Sequence, residues 1–231
     1  MSNLDAAMKA EEGYISNRLR GIDERSLVDI IADYGFESLT EYHEQKSQYL
    51  FEHAGYAEVY TTDEKAFEDI SKILIAEKPT LLFEKHDEPF IYLGSKEYDA
   101  AAVEASGIKA YDGGYLGGTI VGGVGDLSVG IFYSSSIDIR EGYLLGKFAE
   151  ILQSNGVAAV ADNNDILADG KKVIGTACLA TETFYGFVAY ISFSDNTELV
   201  TQICGESEKK PGYITGMTVD EFMEAVRQWL L

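Results

Sequence analysis

The chain has 231 residues, 46% of them hydrophobic, enough for a sizeable core in one large or two small domains. Its formal net charge is −21, from 39 acidic against 18 basic residues, which argues against nucleic acid and membrane surfaces as partners and favours a basic protein partner. Two cysteines, Cys178 and Cys204, make no disulfide framework, the first residues show no secretory signal, and no apolar run has the about 20 residues of a membrane span, so a cytoplasmic protein is expected.

The first third reads as helical. Ser2 caps a helix expected over 3–20, and Gly21 ends it. Two more amphipathic helices are expected over 26–34 and 38–53, each opened by serine and broken by Gly35 and Gly55. Residues 57–61 read as a strand, and Asp63 as the cap of a helix to about Ala76. After Pro79 the pattern changes to short strands, over 80–84 and 90–93, around a turn that holds His86. A helix over 96–105 and a strand over 108–111 follow.

Asp112 to Gly125, DGGYLGGTIVGGVG, is glycine-rich, and glycine lets a backbone approach a ligand with its N–H groups exposed. The run lacks the Lys-Ser/Thr of a P-loop and leads into an alternating strand pattern, unlike a dinucleotide fingerprint. A strand over 126–133, a helix over 138–153, a strand over 157–160, an aromatic strand over 183–193 and helices over 197–203 and 218–231 complete the order. The fold class expected is α+β, a mixed or antiparallel sheet flanked by helices, in a single domain over 1–231 with a helical part over about 1–77. His43, His53 and His86 show no metal-ligand spacing, so no metal is expected.

Asp162 to Thr176, DNNDILADGKKVIGT, reads as a turn, a strand, an Asp169-Gly170 hairpin turn and a second strand opening with Lys171-Lys172. Successive strand residues face opposite ways, so one lysine points inward when the other meets water. An inward lysine can hold an acyl carbonyl or a phosphate. Cys178, on the same strand, is expected in the core.

This hairpin resembles the lysine loop of the lipoate/biotin protein ligase and octanoyltransferase superfamily, carried here by Asn164-Asp165-Ile166, Asp169-Gly170 and Lys172-Val173-Ile174-Gly175-Thr176-Ala177. The run Leu116-Gly117-Gly118-Thr119-Ile120-Val121, leading to Gly125-Asp126, is similar to the family's glycine motif, and the resemblance spans about residues 78–216. It implies a biotin/lipoate protein ligase-like fold and a slot lined by Gly117, Gly118 and Thr119. Asn164, Asp165, Gly175 and Thr176 would lie at the substrate, with Lys172 on the acyl carbonyl. Cys204, 32 residues after Lys172 in Ile203-Cys204-Gly205, stands near the octanoyltransferase branch's thioester-forming cysteine, without that branch's preceding proline.

Two departures bear on the ligand. The family's arginines before the glycine cluster correspond to Asp112-Gly113-Gly114, and its following histidine to Gly122-Gly123. The resemblance thus implies lipoate or an octanoyl thioester as ligand, with ATP disfavoured, and an acyl-carrier or lipoyl-domain protein as partner. Its alternative is a non-catalytic relative, a binding or interaction subunit whose helical first third meets the partner.

Overall fold

The computed structural model describes residues 2–94, 98–112 and 117–231. These form two compact units, one of Met1–His53 with Ile137–Ile139 and one of Ala54–Ser136 with Arg140–Leu231. The change of pattern at Pro79 lies inside the second unit. Among the described residues no helix is long and apolar enough to cross a membrane.

The first unit holds α1 (Asn3–Leu19), α2 (Leu27–Ala32) and α3 (Leu39–Glu52). Ser2, Ser26 and Ser38 each accept a hydrogen bond from a backbone N–H of the first turn, satisfying one donor that a helix start leaves unpaired. Ala7, Ile31, Phe36 and Tyr42 form the core, and the Tyr42 hydroxyl donates to Glu11 at 2.6 Å.

The second unit runs β1 (Ala57–Thr61), α4 (Ala66–Ala76), β2 (Thr80–Lys85), β3 (Phe90–Leu93), α5 (Ala100–Ser106), β4 (Lys109–Asp112), β5 (Ile120–Gly122) and β6 (Leu127–Ser134). It continues with α6 (Glu141–Ser154), β7 (Ala159–Asp162), β8 (Asp165–Ala168), β9 (Lys171–Ala180), β10 (Phe184–Ile191), α7 (Thr197–Cys204) and α8 (Val219–Leu230). Seven strands form one sheet in the order β1-β2-β6-β10-β9-β8-β7, antiparallel except for the parallel β1–β2 pair. The three remaining strands form a second sheet, β4-β3-β5. The strands expected after Pro79 are thus divided between two sheets.

Asp126 makes that division. It is fully buried; Oδ1 accepts from the Phe193 and Ser194 N–H groups at 2.7 and 2.8 Å, and Oδ2 from the Gly123 N–H at 2.8 Å and the Tyr190 hydroxyl. A carboxylate so fully paired pins the turn that swings the chain from β5 to β6.

Both faces of the large sheet are covered, so β2 and β6 read as nearly continuous apolar runs. On one face Phe187 stacks with Phe148 of α6 at 5.8 Å, and Phe148 with Phe222 of α8 at 5.6 Å. On the other face Leu82, Phe132 and Phe184 pack with Ile70 and Ile73 of α4. α4 starts at Ala66, later than expected; Lys65 at its cap makes no side-chain bond, and Asp63 is engaged elsewhere. Cys178 is exposed, contrary to the core position expected. β8 pairs with β9 only as far as Gly175, so the second half of β9 has a strand on one side alone.

Candidate functional site

A cavity of about 310 Å³ lies over the α4-side face of the large sheet, roofed by Phe67 and Ile70 of α4 and by the β3–β5 sheet. Strand register defines its floor. Glu84 pairs with Ser128, Ser128 with Tyr190, Tyr190 with Gly175, and Gly175 with Asp165, across five neighbouring strands. Paired residues share a face, so these five form one polar row. The next row, Leu82, Gly130, Val188 and Ala177, is apolar.

Lys172 reaches this row through a bulge. Ile166 pairs with Ile174 and Leu167 with Lys172, leaving Val173 as the extra residue. Three positions apart on a regular strand, Lys172 and Gly175 would face opposite ways; the bulge brings both to the Asp165 face. The Lys172 ammonium then meets Asp165 Oδ1 at 2.7 Å. Gly175 makes room for it, because a Cβ there would lie 2.9 Å from Lys172 Cε and 3.0 Å from Nζ. Lys172 is further held by backbone bonds to Lys210 and Gly212, both 2.9 Å. Lys171 is exposed.

Lys209 adds a second cation. It bonds Asp165 Oδ2 at 2.7 Å and Asp162 Oδ2 at 3.1 Å. Burial alone would raise the Asp165 carboxyl, but the bonds from Lys172 and Lys209 outweigh it and hold the group below its ordinary range. Among the described residues, Lys172 and Lys209 are the cationic ones that line the cavity; neither Arg140 nor Arg227 does so, and Arg227 is engaged by Glu58.

The other residues singled out from sequence fall as follows. Gly118, Thr119, Gly175 and Thr176 line the cavity. Gly117 has a left-handed backbone, φ +102°, and its carbonyl passes so close to Gly94 that a Cβ on Gly94 would overlap it. Thr119 Oγ1 accepts from the Gly94 N–H at 3.2 Å, tying the glycine segment to the end of β3. Asn164 is exposed, and its carbonyl accepts from Thr176 Oγ1 and N–H at 2.8 and 3.1 Å.

Cys204 also lines the cavity, at the last position of α7, with its side chain against the cluster of Ile91, Val121 and Ile203. Burial pushes its thiol up, and the pull of the Lys172 charge is the smaller effect. The negative end of the helix dipole works in the same direction as burial.

Sequence reasoning missed a polar cluster at the far end of the row. Glu84 is only 3% exposed, and the Tyr92 hydroxyl donates to its Oε1 at 3.0 Å. His86, in the turn between β2 and β3 and fully buried, bonds Asp63 through Nδ1 and Ser128 Oγ through Nε2 at 2.9 Å. Burial pushes the Glu84 carboxyl up to about 8, with the nearby Asp63 adding to it, whereas His86 holds Asp63 below its usual value against the effect of burial. The donor atoms of Asp63, Glu84 and His86 all lie within 4.8 Å of one another. The available signal was the acid inside the apolar run Thr80-Leu81-Leu82-Phe83-Glu84, since an unpaired charge has no place in a buried strand.

No protein-family profile and no curated protein sequence matches this chain. Solved structures share its fold. A Thermoplasma acidophilum protein assigned as a lipoate protein ligase, with bound lipoic acid, matches at 17% identity and TM-score 0.61 over 75% of this chain and 83% of that one. Lipoate-protein ligase A bound with ATP matches at 19% identity and TM-score 0.59, over 75% and 81%. The bi-partite lipoate protein ligase of Thermoplasma acidophilum, described together with its E2 lipoyl domain, matches at 16% identity and TM-score 0.59, also over 75% and 81%. The α+β architecture is therefore that of the lipoate-protein ligase fold.

Proposed function

We propose that this chain handles an acyl group of the lipoyl or octanoyl type, with the acyl chain on the apolar floor of the cavity and its carboxyl or carbonyl end at Lys172. The observation that carries this reading is the bulge that aims one lysine, backed by Asp165, into an otherwise largely apolar cavity. Such pairing pre-orients the ammonium, so little ordering is needed when a carbonyl oxygen arrives. The fold shared with lipoate-bound proteins supports the same ligand class. The acceptor in this reading is an acyl-carrier or lipoyl-domain protein.

Among the described residues, the cations at the cavity are two lysines tied to aspartates, without an arginine to grip phosphates in two-point fashion. The proposal therefore leaves ATP out. In the transfer form of the reading, Cys204 sulfur attacks a carrier thioester, the carrier thiol leaves with the proton that Cys204 gives up, and an acceptor lysine later takes the acyl group. The position of Cys204, half-buried and at the C-terminal end of α7, favours a second form in which the chain binds the acyl group without forming an acyl-enzyme.

Titration calorimetry with octanoate and lipoate tests the common core. Binding that weakens about tenfold or more in Lys172→Ala is expected, as one charge-assisted hydrogen bond would give. Absence of binding by the wild-type chain refutes the proposal. Intact mass after incubation with an octanoyl carrier protein separates the two forms, since only transfer leaves an adduct that disappears in Cys204→Ser.

A further inference from the structure

The end of the cavity remote from Lys172 holds a second group of side chains, which the handling of an acyl group does not use. From Gly175, under the Lys172 ammonium, to Glu84 is three strand spacings, about 14 Å. Backbone pairing runs one residue past β2: the His86 N–H donates to the Asp126 carbonyl at 3.0 Å, and the His86 carbonyl accepts from the Gly125 N–H at 2.7 Å. Glu84 and His86 are thus two apart on one extended stretch and share a face, while Lys85 between them is exposed. Asp63, in the turn before α4, reaches the same face through its bond to His86 Nδ1. One ligand atom from each of Asp63, Glu84 and His86 lies within 4.8 Å of the other two.

Glu84 supplies an independent sign of a missing partner. It is 3% exposed; Oε1 accepts from the Tyr92 hydroxyl, and among the described residues no donor reaches Oε2. Its carboxyl group lies in hydrogen-bonding reach of Asp63, and among the described residues no lysine or arginine pairs with either acid. A buried carboxyl group set against a second one needs a proton or a cation between them.

We propose that Asp63, Glu84 and His86 bind a divalent transition cation of the zinc or manganese class, through the two carboxylates and the imidazole Nδ1. Mixed carboxylate and imidazole donors suit such ions, whereas magnesium and calcium take oxygen ligands. Donors around a tetrahedral zinc stand about 3.4 Å apart. That lies between the direct contact of Asp63 with His86 and the 4.8 Å limit of the cluster, so a small shift of Asp63 on its turn completes the geometry. The ion replaces whichever hydrogens lie between these groups in the metal-free chain, so the site does not depend on which of them carries a proton. Stability titrations of Glu84 read the metal-free form.

The surrounding contacts fit the same role. With the ion on Nδ1, Nε2 carries the ring hydrogen and donates to Ser128 Oγ, 2.9 Å away, which fixes the ring as the outer partners of metal-bound histidines do. The Tyr92 hydroxyl orients Glu84 in the same way. Glu84, Tyr92 and Ser128 line the cavity, which gives the ion an entry path and a water for its remaining position. Histidine spacing gave no hint of the site because a single histidine belongs to it.

The test is calorimetric titration of the chelator-treated wild-type chain with zinc, with magnesium for comparison and cobalt(II) as the spectroscopic probe. One zinc per chain is expected, with no comparable magnesium binding. Cobalt should give visible d–d absorption without the near-ultraviolet thiolate charge-transfer band of a site at Cys178 or Cys204. Asp63→Asn and Glu84→Gln should each weaken zinc binding more than about a hundredfold, and Ser128→Ala about tenfold. Each variant reads the site separately, so one that fails to fold leaves the others to decide. Absent or non-stoichiometric zinc uptake by the wild type, equal affinity for magnesium, a thiolate band, or zinc binding undiminished in the folded variants overturns the proposal. None of these results touches Lys172, so the acyl-binding proposal stands or falls by its own titration.

Discussion

Replacing Glu84 by glutamine should change how stability depends on pH, because the native carboxyl stays protonated where the unfolded one does not. Its value is pushed from 4.5 to about 8, first by burial and then by Asp63, with the Tyr92 hydrogen bond opposing. Between these values the native state binds more protons at this position than the unfolded state, so its contribution to stability falls as pH rises. The contribution is complete below about pH 4.5, is lost through the interval and levels off above about pH 8. At about 1.4 kcal/mol per unit the change across the window reaches a few kcal/mol, with about 5 as the ceiling. Glutamine keeps an acceptor for Tyr92 and a donor for Asp63 but cannot ionise. The groups facing position 84, namely Asp63, His86 and Tyr92, are present in both proteins, so the difference between the two curves isolates the substitution. Asp63 acts in the opposite sense and lower: its share is present above 3.8 and is lost as pH falls through its depressed native value.

The assay is urea denaturation at fixed ionic strength from about pH 5 to about pH 9, followed by fluorescence of Trp229, which lies in the same unit. Wild-type stability should decline relative to Glu84→Gln by about 1 kcal/mol per pH unit up to about pH 8 and run parallel beyond it. A difference that stays flat across the window, or that grows in favour of the wild type, would refute the claim that Glu84 is held neutral.

Three further outcomes follow from single contacts. Gly175→Ala puts a Cβ against the flexible end of Lys172, so it should cost less than about 1 kcal/mol of stability yet weaken octanoate binding about as much as Lys172→Ala; undiminished calorimetric binding would show that the ammonium is not at the ligand. Gly94→Ala instead meets the Gly117 and Gly118 backbone, which has no rotamer to escape into, so a loss of about 2 kcal/mol or more is expected in thermal or urea melts. In a Cys178→Ser background, iodoacetamide labelling of Cys204 should still be accelerating at about pH 9, since its thiol lies above 9.0; a plateau near neutral pH would mark an activated thiolate and favour the transfer form.

What sequence could read was local. The Asp169-Gly170 turn was legible because both residues take positive φ, 50° and 75°, which that pair tolerates best. The serine caps at Ser2, Ser26 and Ser38 were legible because each is satisfied within one helical turn. The inward choice of Lys172 over Lys171 came from the family resemblance and not from strand alternation, since it depends on a bulge set by the register of β9 against β8. The Asp63–Glu84–His86–Ser128 cluster was invisible for a similar reason. Its members come from the loop before α4, from β2 and its exit, and from β6, and only strand pairing brings them together. Cys178 was expected in the core from its place on the lysine strand, whereas its exposure follows from where β8 stops.

The two forms of the proposed function differ in what must happen to one proton. A cysteine that forms a thioester has to lose it, either to a base or by having its thiolate stabilised. Among the described residues of the second unit the histidine is His86, fully buried with both ring nitrogens engaged, so it is not poised to take a proton from Cys204. The stabilising charge would have to come from Lys172, yet that ammonium bonds Asp165 at 2.7 Å and its pull on Cys204 is outweighed by burial. The end of α7 adds the unfavourable side of a helix dipole. The same Lys172 needs none of this to hold a carboxyl or carbonyl oxygen, because an ammonium has three hydrogens and Asp165 uses one direction. The site is therefore better equipped to hold an acyl group than to accept it covalently. Any acyl-enzyme formed through Cys204 should appear at a rate that climbs with pH in step with the ionisation of its thiol.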